Sequence, residues 1–179
     1  PLENAHTKES RPGRGAGNRV DRQPVPADVP TMPSTHTCRH VHVVFSTKDR
    51  EPWLAQEWRP RTHAMLGGIL RESNAAPLCI GGWLDHVHLL FGFRPTHCLS
   101  DLIRDVKRGS SEWIHQTFRR SAFAWQSGYG AFTVGQAELP AVRRYIETQV
   151  EHHRVETFQE EYVRFLKDHL VEYDDRYLW

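Results

Sequence analysis

Two histidines separated by one residue lie within a largely apolar stretch, residues 83–91. Val87 stands between His86 and His88, and Leu-Leu-Phe follows them, a composition typical of a buried strand. Side chains alternate between the two faces of a strand, so both imidazoles point to the same face. Two such imidazoles can hold a divalent ion when a third ligand comes from elsewhere in the chain. The spacing alone is more often that of packed or surface histidines, so a metal site requires that third ligand.

A tyrosine and a glutamine four residues apart, Tyr145 and Gln149, supply the remaining chemistry. Residues at this spacing share one face of a helix. A glutamine carbonyl oxygen suits Mg²⁺ or Mn²⁺, and two imidazoles shift the preference toward Mn²⁺ or similar ions. His86 and His88 can therefore form an open three-ligand site with Gln149. A phenol one helical turn away can attack phosphorus when a metal polarises the phosphate, although a tyrosine beside a helix seam also commonly packs with its hydroxyl outward.

Three other groups compete for these roles. His40 and His42 form a second pair with one residue between them, on the predicted first strand. Tyr129 is an alternative nucleophile, but no glutamine or glutamate follows it by four residues. His152 and His153 follow the tyrosine segment and could contact DNA or support the metal ligands. The sequence assigns these two no firm role.

The composition is typical of a soluble globular protein. The 179 residues are 39% hydrophobic and 25% charged, with a formal net charge of +1 and 12 histidines. No apolar run approaches the roughly 18 residues of a membrane span, and no secretory signal opens the chain. The three cysteines include no Cys-x-x-Cys pair, so we expect reduced thiols in a cytoplasmic protein. The charge neither requires nor excludes nucleic acid, because a local basic patch needs no global excess.

The elements that must position these residues follow one another in a specific order. Apolar periodicity predicts strands at 39–46, 77–83, 84–93 and 131–134, and helices at 56–73, 100–118, 138–154 and 158–170. This order indicates an α+β, ferredoxin-like βαββαβ antiparallel sheet with appended C-terminal helices. The first and third strands are central neighbours in such a sheet. We therefore expect the histidine strand mid-sheet, with one face under the helices and the other free for a site.

The predicted helix 138–154 has an apolar stripe made of Val142, Ile146 and Val150. Tyr145 and Gln149 are expected to lie beside the buried seam that this stripe forms. Residues 1–34 are rich in Pro, Gly, Arg and small polar residues, too few of them apolar to offset the entropy of ordering. We expect a disordered N-terminal tail over 1–34 and one domain over 35–179.

Several motifs in register resemble one protein family, the single-tyrosine HUH transposases of small bacterial insertion sequences, including REP-associated tyrosine transposases. The segments that carry the resemblance are 44–48, 85–90, 125–130, 145–149, 157–162 and 172–179. They occur in order and at plausible spacing from about residue 38 to the C-terminus. With the last two segments counted as one C-terminal motif, five motifs in register are far more specific than any single one.

The resemblance implies a ferredoxin-like domain that cuts and rejoins single-stranded DNA with Mg²⁺ or Mn²⁺. His86 and His88 match the metal-binding pair of the family, and Gln149 matches its polar third ligand. Tyr145 matches the nucleophile, which forms a 5′-phosphotyrosine link and leaves a free 3′-hydroxyl. The covalent link conserves the bond energy, so rejoining to a second strand needs no ATP.

The resemblance also implies partners. The expected substrate is single-stranded DNA with hairpin-bearing element ends. The expected assembly is a homodimer in which the tyrosine helix of one subunit completes the metal site of the other, although REP-associated relatives can be monomeric. The main alternative is a catalytically silent ferredoxin-like protein that binds DNA hairpins and regulates a mobile element or a repeat.

Candidate DNA contacts share either a positive charge or an aromatic ring near the predicted helices and loops. They are Lys48, Arg50, Arg104, Lys107, Arg108, Trp125 and Tyr129. The basic residues could contact phosphates, and the aromatic ones could stack on unpaired bases. Solvated helix faces and closure of the core explain the same residues almost as well.

Overall fold

Four antiparallel strands form a single sheet in the order β2-β3-β1-β4. The structure, a computed structural model, describes residues 36–153 and 155–178, so the predicted tail at 1–34 lies outside the described residues. The strands are β1 (His40–Ser46), β2 (Ala76–Gly82), β3 (His86–Gly92) and β4 (Gly130–Val134). The predicted ferredoxin-like α+β fold, with β1 and β3 in the centre of the sheet, is confirmed.

Five helices accompany the sheet in the described part of the chain. They are α1 (Arg59–Glu72), α2 (Leu99–Phe118), α3 (Leu139–Glu147), α4 (Gln149–His152) and α5 (Phe158–Asp168). Short 3₁₀ turns follow β1 at Lys48–Arg50 and lie after α5 at Asp175–Tyr177. None of the described helices is both long and apolar enough to cross a membrane.

Strand alternation divides the side chains of the central strands between two layers. Val43 of β1 and Leu89 of β3 belong to the larger core, which α1 and α2 cover with residues such as Leu66 and Ile103. Each of these four side chains is fully buried. His86 and His88 alternate with these residues along β3 and therefore point to the opposite face of the sheet.

The opposite face of the sheet, which bears His86 and His88, is covered by the C-terminal helices. Phe158 and Leu166 of α5 pack with Val44 of β1 in a second core cluster. The prediction that this face is free is therefore wrong for the described residues. Apolar residues on α5 favour burial, and only this face of the sheet remains uncovered by α1 and α2.

The predicted helix 138–154 is interrupted at Thr148, where φ is −99° and ψ is 18°. Gln149 begins α4 and is buried, whereas Val150 is 38% exposed. The prediction that Val150 continues the apolar stripe is wrong, because the break at Thr148 changes which side of the chain faces the sheet. The stripe holds as far as Ile146, which is 1% exposed.

A glycine allows α3 to approach the sheet closely. Gly81 of β2 pairs with His88 of β3. A Cβ atom at position 81 would lie 2.7 Å from Ile146 Cγ2 and would also overlap the Ile146 carbonyl oxygen. Because the side chain is absent, the backbone of α3 lies directly against β2, the neighbour of the histidine strand β3. This contact places Tyr145, the neighbour of Ile146, beside the histidines.

Candidate active site

The two strand histidines have their Nδ1 atoms held by neighbours. His86 Nδ1 lies 2.7 Å from Asp85 Oδ1, and His88 Nδ1 lies 2.9 Å from Nε2 of the buried His42. His86 and His88 are both fully buried. With their Nδ1 atoms engaged in this way, each ring presents its Nε2 atom to the site, as metal-ligating histidines generally do.

Asp85 is itself fixed by an arginine. Arg50 donates from Nε at 3.2 Å and from Nη2 at 2.6 Å to Asp85 Oδ2. Burial acts to raise the pKa of Asp85, but the hydrogen bonds and charges of His86 and Arg50 outweigh it and hold this pKa below its ordinary value. An ionised Asp85 accepts a hydrogen bond from His86 Nδ1, so the lone pair of the neutral His86 ring is on Nε2.

Two residues from the C-terminal helices join the histidine pair. Nε2 of His153 lies 2.9 Å from Nε2 of His86, and the Glu161 carboxylate lies 3.5 Å from His88 Nε2. One ligand atom from each of these four residues lies within 4.8 Å of every other. Glu161 is fully buried at this point. The face of the sheet and the C-terminal helices thus form a compact cluster of three imidazoles and one carboxylate.

Gln149 lies at the edge of this cluster. Its Nε2 donates to Glu161 Oε1 at 3.0 Å, which turns its Oε1 toward the imidazoles. This oxygen is 2.8 Å from His153 Nε2 and 3.4 Å from His86 Nε2. The structure therefore brings together the residues predicted as ligands, His86, His88 and Gln149.

The phenol of Tyr145 contacts the same cluster within one chain. Its hydroxyl donates to Glu161 Oε1 and lies 3.4 Å from His152 Nε2. The ring centroid is 5.9 Å from that of His88. Arg164 Nη2 is 3.5 Å from the same hydroxyl oxygen. The predicted nucleophile is thus half-buried beside the predicted ligands, with hydrogen-bonding groups around its oxygen.

Two observations indicate that the cluster fits a cation. His88 Nε2 and Glu161 Oε2 are buried without a hydrogen-bond partner, and such groups are costly unless a ligand satisfies them. Burial, with smaller contributions from nearby histidines, lowers the pKa of His153 to about 4 and that of His88 well below its ordinary value. Neutral imidazoles are the form that binds metals. Burial also raises the pKa of Glu161 to about 8, although the positive charge of Arg164 acts to lower it.

Comparison with known proteins identifies the family. Residues 35–149 match the family model described as Transposase IS200 like. The chain belongs to this family. A search of curated proteins with this chain found no significant match. The matched residues include His86, His88, Tyr145 and Gln149, and they end before His153.

Two solved structures resemble the fold of this IS200-like transposase. One is a candidate transposase from Deinococcus radiodurans R1, with 23% identity and a TM-score of 0.54 over 65% of this chain and 95% of that one. The other is a REP-associated tyrosine transposase bound to a REP hairpin, with 11% identity and a TM-score of 0.51. That match covers 68% of this chain and 74% of the other.

Most of the predicted DNA contacts of the IS200-like transposase line one cleft of about 370 Å³ between α2 and the loop before β4. They are Arg104, Lys107, Arg108, Trp125 and Tyr129. The arginine side chains are 62% and 74% exposed and form ion pairs with aspartates of α2. Such exposed pairs are weak and can be exchanged for phosphates.

Two residues of this cleft have structural contacts. The Lys107 ammonium donates to the carbonyl oxygens of the loop residues 126–128 at 2.6 to 3.3 Å. Trp125 is 8% exposed, and its Nε1 donates to Ser110 Oγ at 2.9 Å. Closure of the core therefore explains Trp125 without DNA, and base stacking by Trp125 stays a prediction. The ring of Tyr129 lies 5.6 Å from Lys107 Nζ and is partly exposed.

The last two predicted contacts lie on the turn after β1. Lys48 is exposed there, as a phosphate contact requires. Arg50 is directed to Asp85, behind the metal-ligand candidate His86. Through Asp85, Arg50 helps to orient the His86 ring. This role differs from the predicted phosphate contact of Arg50. The pair His40 and His42 is split, since His42 supports His88 whereas His40 Nδ1 lies near Cys38.

Sequence reasoning missed two candidate ligands and one orienting group of the IS200-like transposase. His153 follows Gln149 by four residues, as Gln149 follows Tyr145, so continuing this spacing would have found it. Asp85 directly precedes the histidine pair, where a carboxylate can reach a ring nitrogen. Glu161 has no such signal, because its position depends on how α5 packs against the sheet.

Proposed function

We propose that this chain is a metal-dependent transposase that cleaves and rejoins single-stranded DNA through a covalent tyrosine intermediate. The observation that supports this most directly is the contact of the Tyr145 hydroxyl with a buried cluster of three imidazoles and Glu161. A phenol beside a cation-compatible cluster is the arrangement that nucleophilic attack on a phosphodiester needs. Family membership supports the same class of reaction.

In the proposed cleavage step, the Tyr145 oxygen forms a bond to phosphorus while the bond from phosphorus to the 3′ oxygen breaks. The products are a 5′-phosphotyrosine link and a free 3′-hydroxyl. The phenol loses a proton and the 3′ oxygen gains one. Glu161 Oε1, which accepts the hydrogen bond of the phenol, is the group placed to accept this proton. Rejoining is the reverse reaction with a second 3′-hydroxyl.

The proposed ion is Mg²⁺ or Mn²⁺, held by His86, His88 and Gln149. When bound, it would polarise the phosphate and stabilise the leaving oxygen. Asp85 and His42 keep the two strand imidazoles oriented toward it.

The proposed substrate is a single strand that carries a hairpin. The REP-associated relative of this fold is described as bound to a REP hairpin. In this chain, Arg104 and Arg108 at the exposed edge of the α2 cleft are the proposed phosphate contacts, with Lys48 on the turn after β1. We place the reaction in the cytoplasm, with the DNA of the element.

A homodimer with exchanged tyrosine helices stays a prediction. Tyr145 reaches His88 and Glu161 within a single chain here. An arrangement in cis thus satisfies the same chemistry. Mixing Tyr145→Phe protein with His86→Ala protein distinguishes the two arrangements, because only a site shared between subunits restores cleavage in the mixture.

The decisive experiment for the proposed function is a covalent-adduct assay. Purified protein with Mg²⁺ or Mn²⁺ and hairpin-bearing single-stranded DNA should form a complex that resists SDS. Tyr145→Phe should abolish this complex, because it removes only the nucleophilic oxygen. Tyr129→Phe is the matched control and should leave the complex intact. Adduct that persists in Tyr145→Phe but disappears in Tyr129→Phe would contradict the assignment.

The catalytically silent hairpin binder remains the second candidate. Coverage of the histidine face by α5 favours it, since a closed site does not by itself admit a phosphodiester. Hairpin binding by the wild-type protein without any adduct, over a range of ions, would support this alternative.

A further inference from the structure

We infer that His153 and Glu161 are themselves metal ligands and complete, with His86 and His88, a four-donor site that selects a transition-metal ion over Mg²⁺. This inference deepens the proposed function. Ion binding itself does not depend on that function, but the catalytic use of the bound ion does. His153 and Glu161 lie beyond the residues 35–149 that match the family model. They are therefore a feature of this chain that the family match does not describe.

The hydrogen bonds of two histidines direct their Nε2 atoms toward each other. His86 Nδ1 faces the Asp85 carboxylate at 2.7 Å, and His153 Nδ1 faces the backbone carbonyl oxygen of Glu156 at 3.0 Å. Both partners only accept hydrogen bonds, so each Nδ1 carries the hydrogen and each Nε2 carries a lone pair. These two Nε2 atoms lie 2.9 Å apart. Two lone pairs at this distance repel each other, so a positive charge must lie between the two atoms, either a proton on one ring or a metal ion bound by both.

The Glu161 carboxylate supplies the fourth donor. Oε1 is satisfied by the Tyr145 hydroxyl and the Gln149 amide. Oε2 has no hydrogen-bond partner and lies 3.5 Å from His153 Nε2 and 3.9 Å from His86 Nε2. A fully buried carboxylate oxygen without a partner is costly. Its position on the side of the imidazoles is where a metal ligand is needed.

His88 completes the set from the strand. Its Nε2 is the other buried atom of the cluster without a hydrogen-bond partner, and its Nδ1 contacts His42. Three imidazole nitrogens and one carboxylate oxygen suit Zn²⁺, Co²⁺ or a similar ion, whereas Mg²⁺ prefers an all-oxygen shell that retains water. Four protein donors form a closed site, so a phosphate reaches the ion only when one donor leaves or the coordination number rises. Glu161 then contacts the ion through Oε2 and the Tyr145 phenol through Oε1.

The test measures ion binding without DNA. Full-length protein freed of metal by a chelator is titrated with Co²⁺, whose visible absorption is stronger in four-coordinate than in six-coordinate sites, and with Zn²⁺ by calorimetry. His153→Ala and Glu161→Gln should each lower the affinity by at least about tenfold. Each should also weaken the Co²⁺ absorption, because one donor is replaced by water. His86→Ala should abolish specific binding.

The controls separate this inference from general effects. His97→Ala and Glu172→Gln remove a histidine and a glutamate outside the cluster and should bind Co²⁺ as the wild-type protein does. His153→Gln is a second variant for the case that His153→Ala does not fold, and its loss of affinity is judged against an unchanged circular dichroism spectrum. Excess Mg²⁺ should not displace Co²⁺.

Two results would overturn the inference. The first is that His153→Ala and Glu161→Gln both keep the wild-type Co²⁺ affinity and absorption while His86→Ala loses binding. The ligands would then be His86, His88 and Gln149. The proposed function would then stand, and its adduct assay would be unaffected. Absence of any specific Co²⁺ or Zn²⁺ site in the wild-type protein would also refute the inference, whereas adduct formation tests the function separately.

Discussion

Asp85→Asn should weaken ion binding more than it weakens the fold. The Asp85 carboxylate accepts a hydrogen bond from His86 Nδ1 at 2.7 Å, and this bond keeps the lone pair of the ring on Nε2. An asparagine at position 85 can donate its amide hydrogen to Nδ1 instead. The hydrogen of the ring would then move to Nε2, where it blocks coordination.

The expected size of the effect follows from the two contacts of Asp85. Replacing a carboxylate behind a ligating histidine typically lowers metal affinity by about 10- to 100-fold, or roughly 1.4 to 2.7 kcal/mol of binding free energy. The fold also loses charge from the pair with Arg50, whose side chain is 25% exposed. Asparagine retains one acceptor for Arg50, so we expect the free energy of unfolding to fall by about 1 kcal/mol.

Calorimetric titration of Co²⁺ or Mn²⁺ into metal-free protein, well below the unfolding temperature, measures the first effect. Urea denaturation of the metal-free protein measures the second. Asp101→Asn is the matched control, because Asp101 is exposed and pairs with Arg104 on α2, and its ion affinity should equal that of the wild type. Unchanged ion affinity in a folded Asp85→Asn protein would refute the role assigned to this carboxylate.

Two other predictions follow from packing and burial. Gly81→Ala would force a Cβ atom against Ile146, so we expect a loss of about 1–3 kcal/mol in the free energy of unfolding and less Tyr145 adduct. Gly68→Ala in α1 is the control: its Cβ atom meets no atom within 4 Å, so the change should be neutral or stabilising by up to about 1 kcal/mol. Equal urea midpoints for Gly81→Ala and Gly68→Ala would contradict the close packing of α3 against Gly81. Burial, with the charges of Arg59 and His86, lowers the pKa of His63 from 6.5 to about 4, so the unfolded chain gains a proton first as the pH falls. The free energy of unfolding is unaffected by His63 above pH 6.5 and falls as the pH drops toward 4, by about 2 kcal/mol at pH 5. Urea denaturation at pH 7 and pH 5 should therefore show that His63→Gln loses less stability on acidification than the wild type does.

The sheet and the strand half of the site follow from local patterns. Alternation along residues 39–46 and 84–93 predicts β1 and β3, and the order of the elements predicts that they are neighbours. His86 and His88 then share a face by the geometry of a strand alone. Gln149 and Tyr145 needed the resemblance as well, because spacing by four residues occurs on every helix.

The remainder of the site depends on tertiary packing that no local pattern encodes. The break at Thr148 ends the 3.6-residue repeat, so the repeat wrongly places Val150 in the seam. Glu161 lies within an α5 sequence whose polar residues would ordinarily face water. Its burial follows only from the docking of Phe158 and Leu166 onto the sheet.

α5 both completes the ligand cluster and closes it, and these two roles oppose each other during DNA binding. Phe158 at its start stacks on the His86 ring, with centroids 4.4 Å apart, and Glu161 one turn later is a candidate ligand. A phosphodiester that reaches Tyr145 must displace part of this cover, and the Glu161 carboxylate is the donor attached to the moving helix. Because the strand histidines are fixed by Asp85 and the sheet, they remain in place when α5 moves. We therefore expect hairpin-bearing single-stranded DNA to weaken the Co²⁺ absorption of the Tyr145→Phe protein, as a higher coordination number does. A spectrum that saturating DNA leaves unchanged would show that α5 stays closed over the ion.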